Sequence, residues 1–176
     1  SGDGGPAVTP RYRWYALGLL AAINLLNYID RNVIYALFEP IKRDLHLSDT
    51  QLGFLTGVGF AVFYAVLGLP IARWADRGNR ATISALAVGL LGIAAAACYW
   101  VTSFIQLALV RIAAAVGEAG CKPPAYSLIG DYFSQAAERT RAMYIYDAAG
   151  PVSAVVSYMI AGWLSERVGW RLTFLL

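Results

Sequence analysis

Histidine, cysteine and charged residues are scarce in this chain. Its 176 residues include one histidine and two cysteines, and 14% are charged, against about a quarter in ordinary soluble domains. The histidine, His46, is a loop residue, and no Cys/His metal spacing, Ser/His/Asp set, HExxH motif or phosphate loop is present. The net charge of +3 comes without a basic cluster with interleaved aromatics. These absences argue against an enzyme, a bound metal and a nucleic-acid partner.

Long apolar runs occupy most of the chain. Hydrophobic residues make up 59% of it, and a membrane-spanning helix needs about 20 mostly apolar residues. The runs predict five spans in the lipid bilayer, over about 14–38, 51–72, 81–101, 104–129 and 141–164, with GWRLTFLL opening a sixth. Ser48 and Asp49 form an N-cap signal for the second span. Cys98 and Cys121 fall within spans, where we expect buried thiols and no disulfide.

The polar start and the loop charges predict the organisation of the chain. The opening SGDGGPAVTP is rich in Gly and Pro, so we expect a disordered tail over residues 1–12 and a transmembrane bundle over residues 13–176. Basic loop residues collect on the side of the N-terminus, namely Arg11, Arg13, Arg73, Arg77, Arg80, Arg139 and Arg141. Cytoplasmic loops carry such an excess, which predicts a cytoplasmic N-terminus.

The first span carries charges that a membrane helix rarely holds. Its stretch NLLNYIDRNVIYAL places Asp30 beside Arg31, and each such charge at a helix centre costs about 2.5–3.5 kcal/mol. At about 100° per residue, polar and aromatic side chains form a stripe on one face, comprising Asn24, Asn27, Tyr28, Arg31 and Tyr35. The stripe either lines a water-filled pathway or forms a helix–helix hydrogen-bond seam. Asp30 lies off the stripe and is expected to face a neighbouring helix.

The fourth span supplies charges at matching depth. Arg111, Glu118 and Lys122 are spaced by seven and four residues, which puts them on one face, and Glu118 and Lys122 could pair at i, i+4. Counted from the outer ends of their spans, Asp30 and Arg111 lie about eight and seven residues in, at similar depth, so we expect them to pair. The pair is either a permanent staple between helices or part of a mechanism. Buried pairs rarely add much net stability, which favours the mechanism.

Several motifs resemble those of a known transporter family. The loop ARWADRGNRATI is similar to the cytoplasmic signature of the major facilitator superfamily, and Arg111 resembles the arginine of its fourth span. NYIDRNVIYAL, GEAGCKPPAYSLIGDYF and GWRLTF resemble motifs of its Spinster family. Residues from about 13 to 176 therefore resemble the N-terminal half of a bacterial Spinster-like transporter.

The resemblance implies an all-α membrane fold of twelve spans in two six-span halves, with five spans and part of a sixth present here. We expect the natural protein to continue into a C-terminal half and to act as a monomer in the cell (inner) membrane. The implied function is secondary transport of an amphiphilic, lipid-like cargo, a lysolipid or sphingoid phosphate, by alternating access. A carrier of drugs or small organic anions is the alternative. A membrane structural or receptor protein would not need aligned charges at matching depth.

These interpretations assign roles to individual residues. The proton is the only coupling ion or cofactor expected, carried by Asp30 with Arg111 as its switchable partner and Glu118 as a second proton site. The cargo-binding set is Asn24, Tyr28, Arg31 and Tyr35. The resemblance further implies a cytoplasmic latch at Asp76, Arg77 and Arg80, although basic residues there could serve topology alone.

Two positions depart from the resemblance. Lys122 stands where relatives more often carry a small or polar residue, and it is expected to alter the charge balance around Glu118. Asp147 is a further acid within a span, which either lines the cavity or bonds to loop basics.

Overall fold

The chain is almost entirely helical where the structure describes it. The computed structural model describes residues 9–78 and 80–174, with side chains at all of these positions except 69, 71, 72, 74–77, 80 and 81. A short 3-10 helix, Cys98–Trp100, joins two of the α-helices. The α-helices of the described chain are α1 (Pro10–Ala36), α2 (Phe38–Leu45), α3 (Asp49–Thr56), α4 (Val58–Arg77), α5 (Arg80–Ala97), α6 (Phe104–Tyr132), α7 (Ala136–Asp147), α8 (Ala149–Val168) and α9 (Trp170–Thr173).

The helices match the predicted all-α membrane fold. Four segments of the described chain are long and apolar enough to cross a membrane, namely Asp49–Gly68, Thr82–Trp100, Phe104–Tyr132 and Ala136–Val168. They correspond to the second to fifth predicted spans. The first span is α1, which has 27 residues but is not among the four, because its polar stripe lowers its hydropathy. The short α9 lies where a sixth span was predicted to begin.

The helix boundaries refine three predictions. The second span is divided into α3 and α4 at Gly57, and the fifth into α7 and α8 at Ala148. The side chain of Ser48 accepts from the Gln51 backbone N–H, and the Gln51 side chain accepts from the Ser48 backbone N–H. These two bonds confirm the predicted N-cap. α1 begins at Pro10, so residues 10–12 of the predicted tail are helical, whereas residues 1–8 lie outside the described residues. Both cysteines are free and buried, as predicted.

Packing joins α1 to α8 on one side and α6 to α4 and α5 on the other. At the end where α1 begins, Arg13 Nη1 on α1 lies 2.7 Å from Glu138 Oε2 on α7. At the opposite end, Arg171 Nη1 on α9 lies 2.6 Å from Asp44 Oδ2 on α2. Each end of the bundle also has its own apolar core cluster. The ends are thus fixed independently, and the intramembrane charges lie between them.

Gly117 allows α5 and α6 to approach closely. A Cβ at this position would lie 2.8 Å from the Ala87 carbonyl oxygen and 3.1 Å from the Leu91 nitrogen, both on α5. These neighbours are backbone atoms that cannot move aside. The lack of a side chain at Gly117 therefore permits the observed position of α6, the helix that also carries Glu118.

We expect Gly117→Ala to destabilise the bundle by about 1–3 kcal/mol, the usual cost of overpacking a tight core. The measurement is the thermal unfolding midpoint of the purified protein in detergent. The matched control is Gly92→Ala on α5, where a Cβ meets nothing within 4 Å and the substitution should be neutral or slightly stabilising. Equal midpoints for the two variants would contradict the close approach.

Candidate functional site

Two ion pairs connect α1 to α6 in the middle of the bundle. Arg111 Nη1 lies 3.4 Å from Asp30 Oδ2, and Arg31 Nη1 lies 3.2 Å from Glu118 Oε1. The first is the pair that equal depth predicts. The second was not predicted, because Glu118 had been matched with Lys122 along its own helix. Adjacent charges on α1 therefore bind two different partners, seven residues apart on α6.

The two pairs differ in their access to the surroundings. The side chains of Arg111 and Glu118 are each 4% exposed and that of Asp30 is 12% exposed, whereas that of Arg31 is 36% exposed. The Asp30 pair is thus enclosed between helices. Arg31 reaches from the open side of the bundle to a buried carboxylate, so it can contact both Glu118 and a molecule beside the bundle.

Phe60 on α4 contacts the arginines of both ion pairs. Its ring centre lies 5.0 Å from the Arg31 guanidinium carbon and 5.3 Å from that of Arg111. The ring is buried and stacks with Tyr64 at a centroid distance of 6.3 Å. A guanidinium is attracted to an aromatic face at such distances. Phe60 thus contacts both arginines through one side chain. This role could not be predicted from the sequence, because phenylalanines are common in apolar spans.

We expect Phe60→Leu to lower the thermal midpoint measurably, since each cation–π contact contributes about 0.5–2 kcal/mol. Phe60→Tyr keeps the ring face and should retain most of the stability. Phe63→Leu, on the same helix and half-buried, controls for loss of aromatic volume alone. If Phe60→Leu and Phe63→Leu shift the midpoint equally, the ring contributes packing and no specific hold on the arginines.

Lys122 and Tyr28 form a third contact between α1 and α6. Lys122 Nζ donates to Tyr28 Oη at 2.9 Å and lies 4.6 Å from the centre of the tyrosine ring. No ion pair joins Lys122 to Glu118, although both side chains are described. The possible i, i+4 pair is therefore not formed. Glu118 points across to α1, where the longer Arg31 side chain reaches it.

The polar stripe of α1 is divided between a seam and the open site. Asn24 is buried and donates from Nδ2 to the Tyr146 carbonyl at 2.9 Å, and Asn27 is buried as well. Tyr35 donates from its hydroxyl to the Thr56 carbonyl at 2.8 Å. Asn24 and Tyr35 thus make hydrogen bonds of the kind expected of a helix–helix seam, since each donates to a backbone carbonyl of another helix. Tyr28, Arg31 and Tyr35 are the half-exposed residues of the stripe.

The remaining site residues lie at the edges of this region. Asp147 is exposed and accepts from the Tyr126 hydroxyl at 2.6 Å, so its described partner is a tyrosine of α6. The predicted latch residues stand where α4 ends and α5 begins, but their side chains lie outside the described residues: Asp76, Arg77 and Arg80.

Known proteins are similar to this chain over nearly its whole length. The crystal structure of a bacterial homologue of the human lysosomal transporter Spinster, inward-facing and unoccupied, superposes with a TM-score of 0.84 at 40% identity, and covers 95% of this chain and 40% of its own. An MFS-type efflux pump of Mycolicibacterium smegmatis is 39% identical over 95% of this chain and 39% of its own length. A probable L-galactonate transporter of Escherichia coli is 31% identical over 94% of this chain and 36% of its own length.

These comparisons confirm the resemblance and set its extent. The chain spans between 36% and 40% of the length of these three proteins. Its Spinster-like character is shown by the solved homologue, whose fold it shares. The family model of the Major Facilitator Superfamily matches residues 20–176, and the chain therefore belongs to that superfamily.

Proposed function

We propose that the natural protein carrying this sequence is a proton-coupled secondary transporter of an amphiphilic, lipid-like anion. The observation that carries the proposal is the two ion pairs, Asp30–Arg111 and Arg31–Glu118, which join α1 to α6 in the middle of the bundle. Charges in a membrane interior are costly and usually mark transport pathways or proton relays. Two carboxylates bound by two arginines supply two groups whose protonation changes how the helices attract each other.

The Asp30–Arg111 pair is the proton switch of this proposal. While Asp30 is charged, Arg111 binds it and holds α1 against α6. A proton on Asp30 removes that attraction and releases Arg111. A different arrangement of the helices is then favoured. Each protonation state thus selects one state of an alternating-access cycle. Because the pair is enclosed, proton exchange requires the helices to separate, and this requirement couples protonation to the conformational change.

The Arg31–Glu118 pair connects the proton to the cargo. A proton on Glu118 frees the Arg31 guanidinium, which can then bind a phosphate or carboxylate in a charge-assisted hydrogen bond. Tyr28 supplies an aromatic face beside it for an apolar chain. We keep Arg31 and Tyr28 as the cargo-binding residues of the proposal, and give Asn24 and Tyr35 the supporting role of fixing α1 to its neighbours.

A carrier of drugs or small organic anions is the second candidate. The similarity to an efflux pump and to a probable L-galactonate transporter favours it. The same arginines would bind a small carboxylate without any need for an apolar chain. The two candidates differ in cargo and share the proton switch.

Topology and the latch complete the proposal. We place the protein in the inner membrane with the start of α1 in the cytoplasm, in agreement with the positive-inside rule. Asp76, Arg77 and Arg80 then lie on the cytoplasmic side, where they would latch that side closed against a C-terminal half. Asp76→Asn should accordingly favour the inward-open state.

The experiment that tests the function is transport by the purified natural protein in liposomes with an imposed pH gradient. A lysophospholipid with a labelled acyl chain serves as cargo, and L-galactonate represents the second candidate. Cargo movement that follows the gradient and stops with a protonophore supports the proposal. Movement that ignores the gradient would contradict it.

A further inference from the structure

Lys122 is a cation that the two ion pairs leave without a carboxylate partner. Its described polar contact is the Tyr28 hydroxyl, an uncharged group. Glu118, one turn earlier on α6, is bound by Arg31, and the Asp147 carboxylate accepts from Tyr126. Among the described carboxylates, none forms an ion pair with Lys122. A positive charge within a span is costly unless it is compensated, so this side chain is suited to an anion from outside the bundle.

An apolar pocket lies between α4 and α6, and two of its wall residues are sequence neighbours of Lys122. It has a volume of about 370 Å³ and is lined by Tyr64, Ala65, Gly68, Ala119 and Pro123. Lys122 stands between two of these wall residues in the sequence, three residues after Ala119 and directly before Pro123. The volume is within the usual range for ligand pockets, about 300–1,000 Å³. A charged group next to an apolar pocket fits a ligand with an anionic group attached to an apolar body.

We infer that Lys122 binds the anionic group of the cargo and selects anionic amphiphiles over zwitterionic ones. The inference rests on the proposed function only in that the region between α1, α4 and α6 binds cargo. A phosphate or carboxylate oxygen accepts from the ammonium while the apolar body enters the pocket. A head group that also carries a quaternary ammonium brings a second cation close to Lys122, and like charges at such short range repel.

The test compares the binding of two lysolipids with the same acyl chain to the natural protein in nanodiscs of uncharged lipid. Lysophosphatidylglycerol is anionic and lysophosphatidylcholine is zwitterionic. Wild type should prefer the anionic lipid, and Lys122→Met should weaken its affinity by about tenfold, the typical loss for one hydrogen bond to a charged group. The affinity for the zwitterionic lipid should stay nearly unchanged, so the preference disappears. Lys122→Arg should keep the preference for the anionic lipid.

The matched control is Lys42→Met, which removes the other lysine, located on α2 at the far end of the bundle. It should leave both affinities unchanged. The inference is overturned if Lys122→Met binds both lipids as wild type does. It is equally overturned if both affinities fall together, because Lys122 would then serve only the packing of α1 on α6.

A further arm separates a lipid from a small free acid as the source of the anion. Gly68→Leu adds a side chain to the pocket wall, at a position where a Cβ would lie 3.7 Å from the Ala119 Cβ. This variant should bind the anionic lysolipid more weakly than wild type does, and its affinity for L-galactonate should be unchanged. In wild type, L-galactonate should bind more weakly than the lysolipid. Equal affinities for both, with no effect of Gly68→Leu on either, would refute the apolar part of the site. All binding is measured at constant pH without a gradient, so a failure of proton coupling leaves these results standing.

Discussion

Replacing Asp30 by asparagine is expected to yield a folded protein that binds cargo but no longer transports it in response to a pH gradient. Asparagine keeps the size of the side chain and can still accept from Arg111, so the contact between α1 and α6 survives without its titratable group. The loss of gradient-driven accumulation should be about tenfold or more, as coupling free energies of 1–3 kcal/mol typically give. The measurement is uptake into liposomes with and without the gradient, normalised to folded protein.

Asp44→Asn is the matched control for Asp30→Asn. It removes an aspartate from another pair between helices, the one with Arg171, at the end of the bundle. Transport should remain pH-driven in this variant. If Asp30→Asn chiefly lowers the yield of folded protein, and the folded fraction still follows the pH gradient, then Asp30 and Arg111 form a permanent staple and the switch is refuted.

Replacing Glu118 by glutamine is expected to tighten the binding of an anionic cargo and to remove its dependence on pH. In the wild type the Glu118 carboxylate occupies Arg31, so the cargo must compete with it. Binding should therefore strengthen as the pH falls and Glu118 is protonated. The glutamine variant imitates the protonated state at every pH, and its affinity should match the low-pH affinity of the wild type. The measurement is cargo affinity across a pH series.

Glu138→Gln provides the control for this prediction. Glu138 also pairs with an arginine of α1, Arg13, at the end of the bundle away from the proposed cargo site. Its removal should leave the pH dependence of binding unchanged. Weaker binding by Glu118→Gln would contradict the competition between the carboxylate and the cargo, and would point to Glu118 as a group that positions Arg31.

The sequence predicted the features that depend on a regular helical repeat. Long apolar runs located the spans because a membrane helix has a nearly fixed length. The pairing of Asp30 with Arg111 followed from counting residues inward along two antiparallel spans. The motifs around Arg31 and in the α4–α5 loop resembled the family that the comparisons then confirmed.

The contacts that were missed depend on rotation and distance between helices, which periodicity leaves open. Glu118 was matched to Lys122 along α6, but the close approach of α1 lets Arg31 reach the carboxylate. The same approach brings Tyr28 to Lys122. Counting depth would not have suggested the latter contact, because Tyr28 lies about ten residues from the outer end of its span and Lys122 about eighteen. Asn24 donates to a backbone carbonyl of α7, an acceptor that only the tertiary structure reveals.

The protonation of Asp30 is the most direct test of the proposed switch. Infrared difference spectra of the natural protein, recorded as cargo binds at several pH values, report whether a protonated carboxyl group appears or disappears. Subtraction of the Asp30→Asn spectrum assigns that band to Asp30. We expect a protonated-carboxyl band that changes with cargo and vanishes in the variant. A carboxylate at Asp30 that stays charged throughout, with and without cargo over the working pH range, would contradict the proton switch.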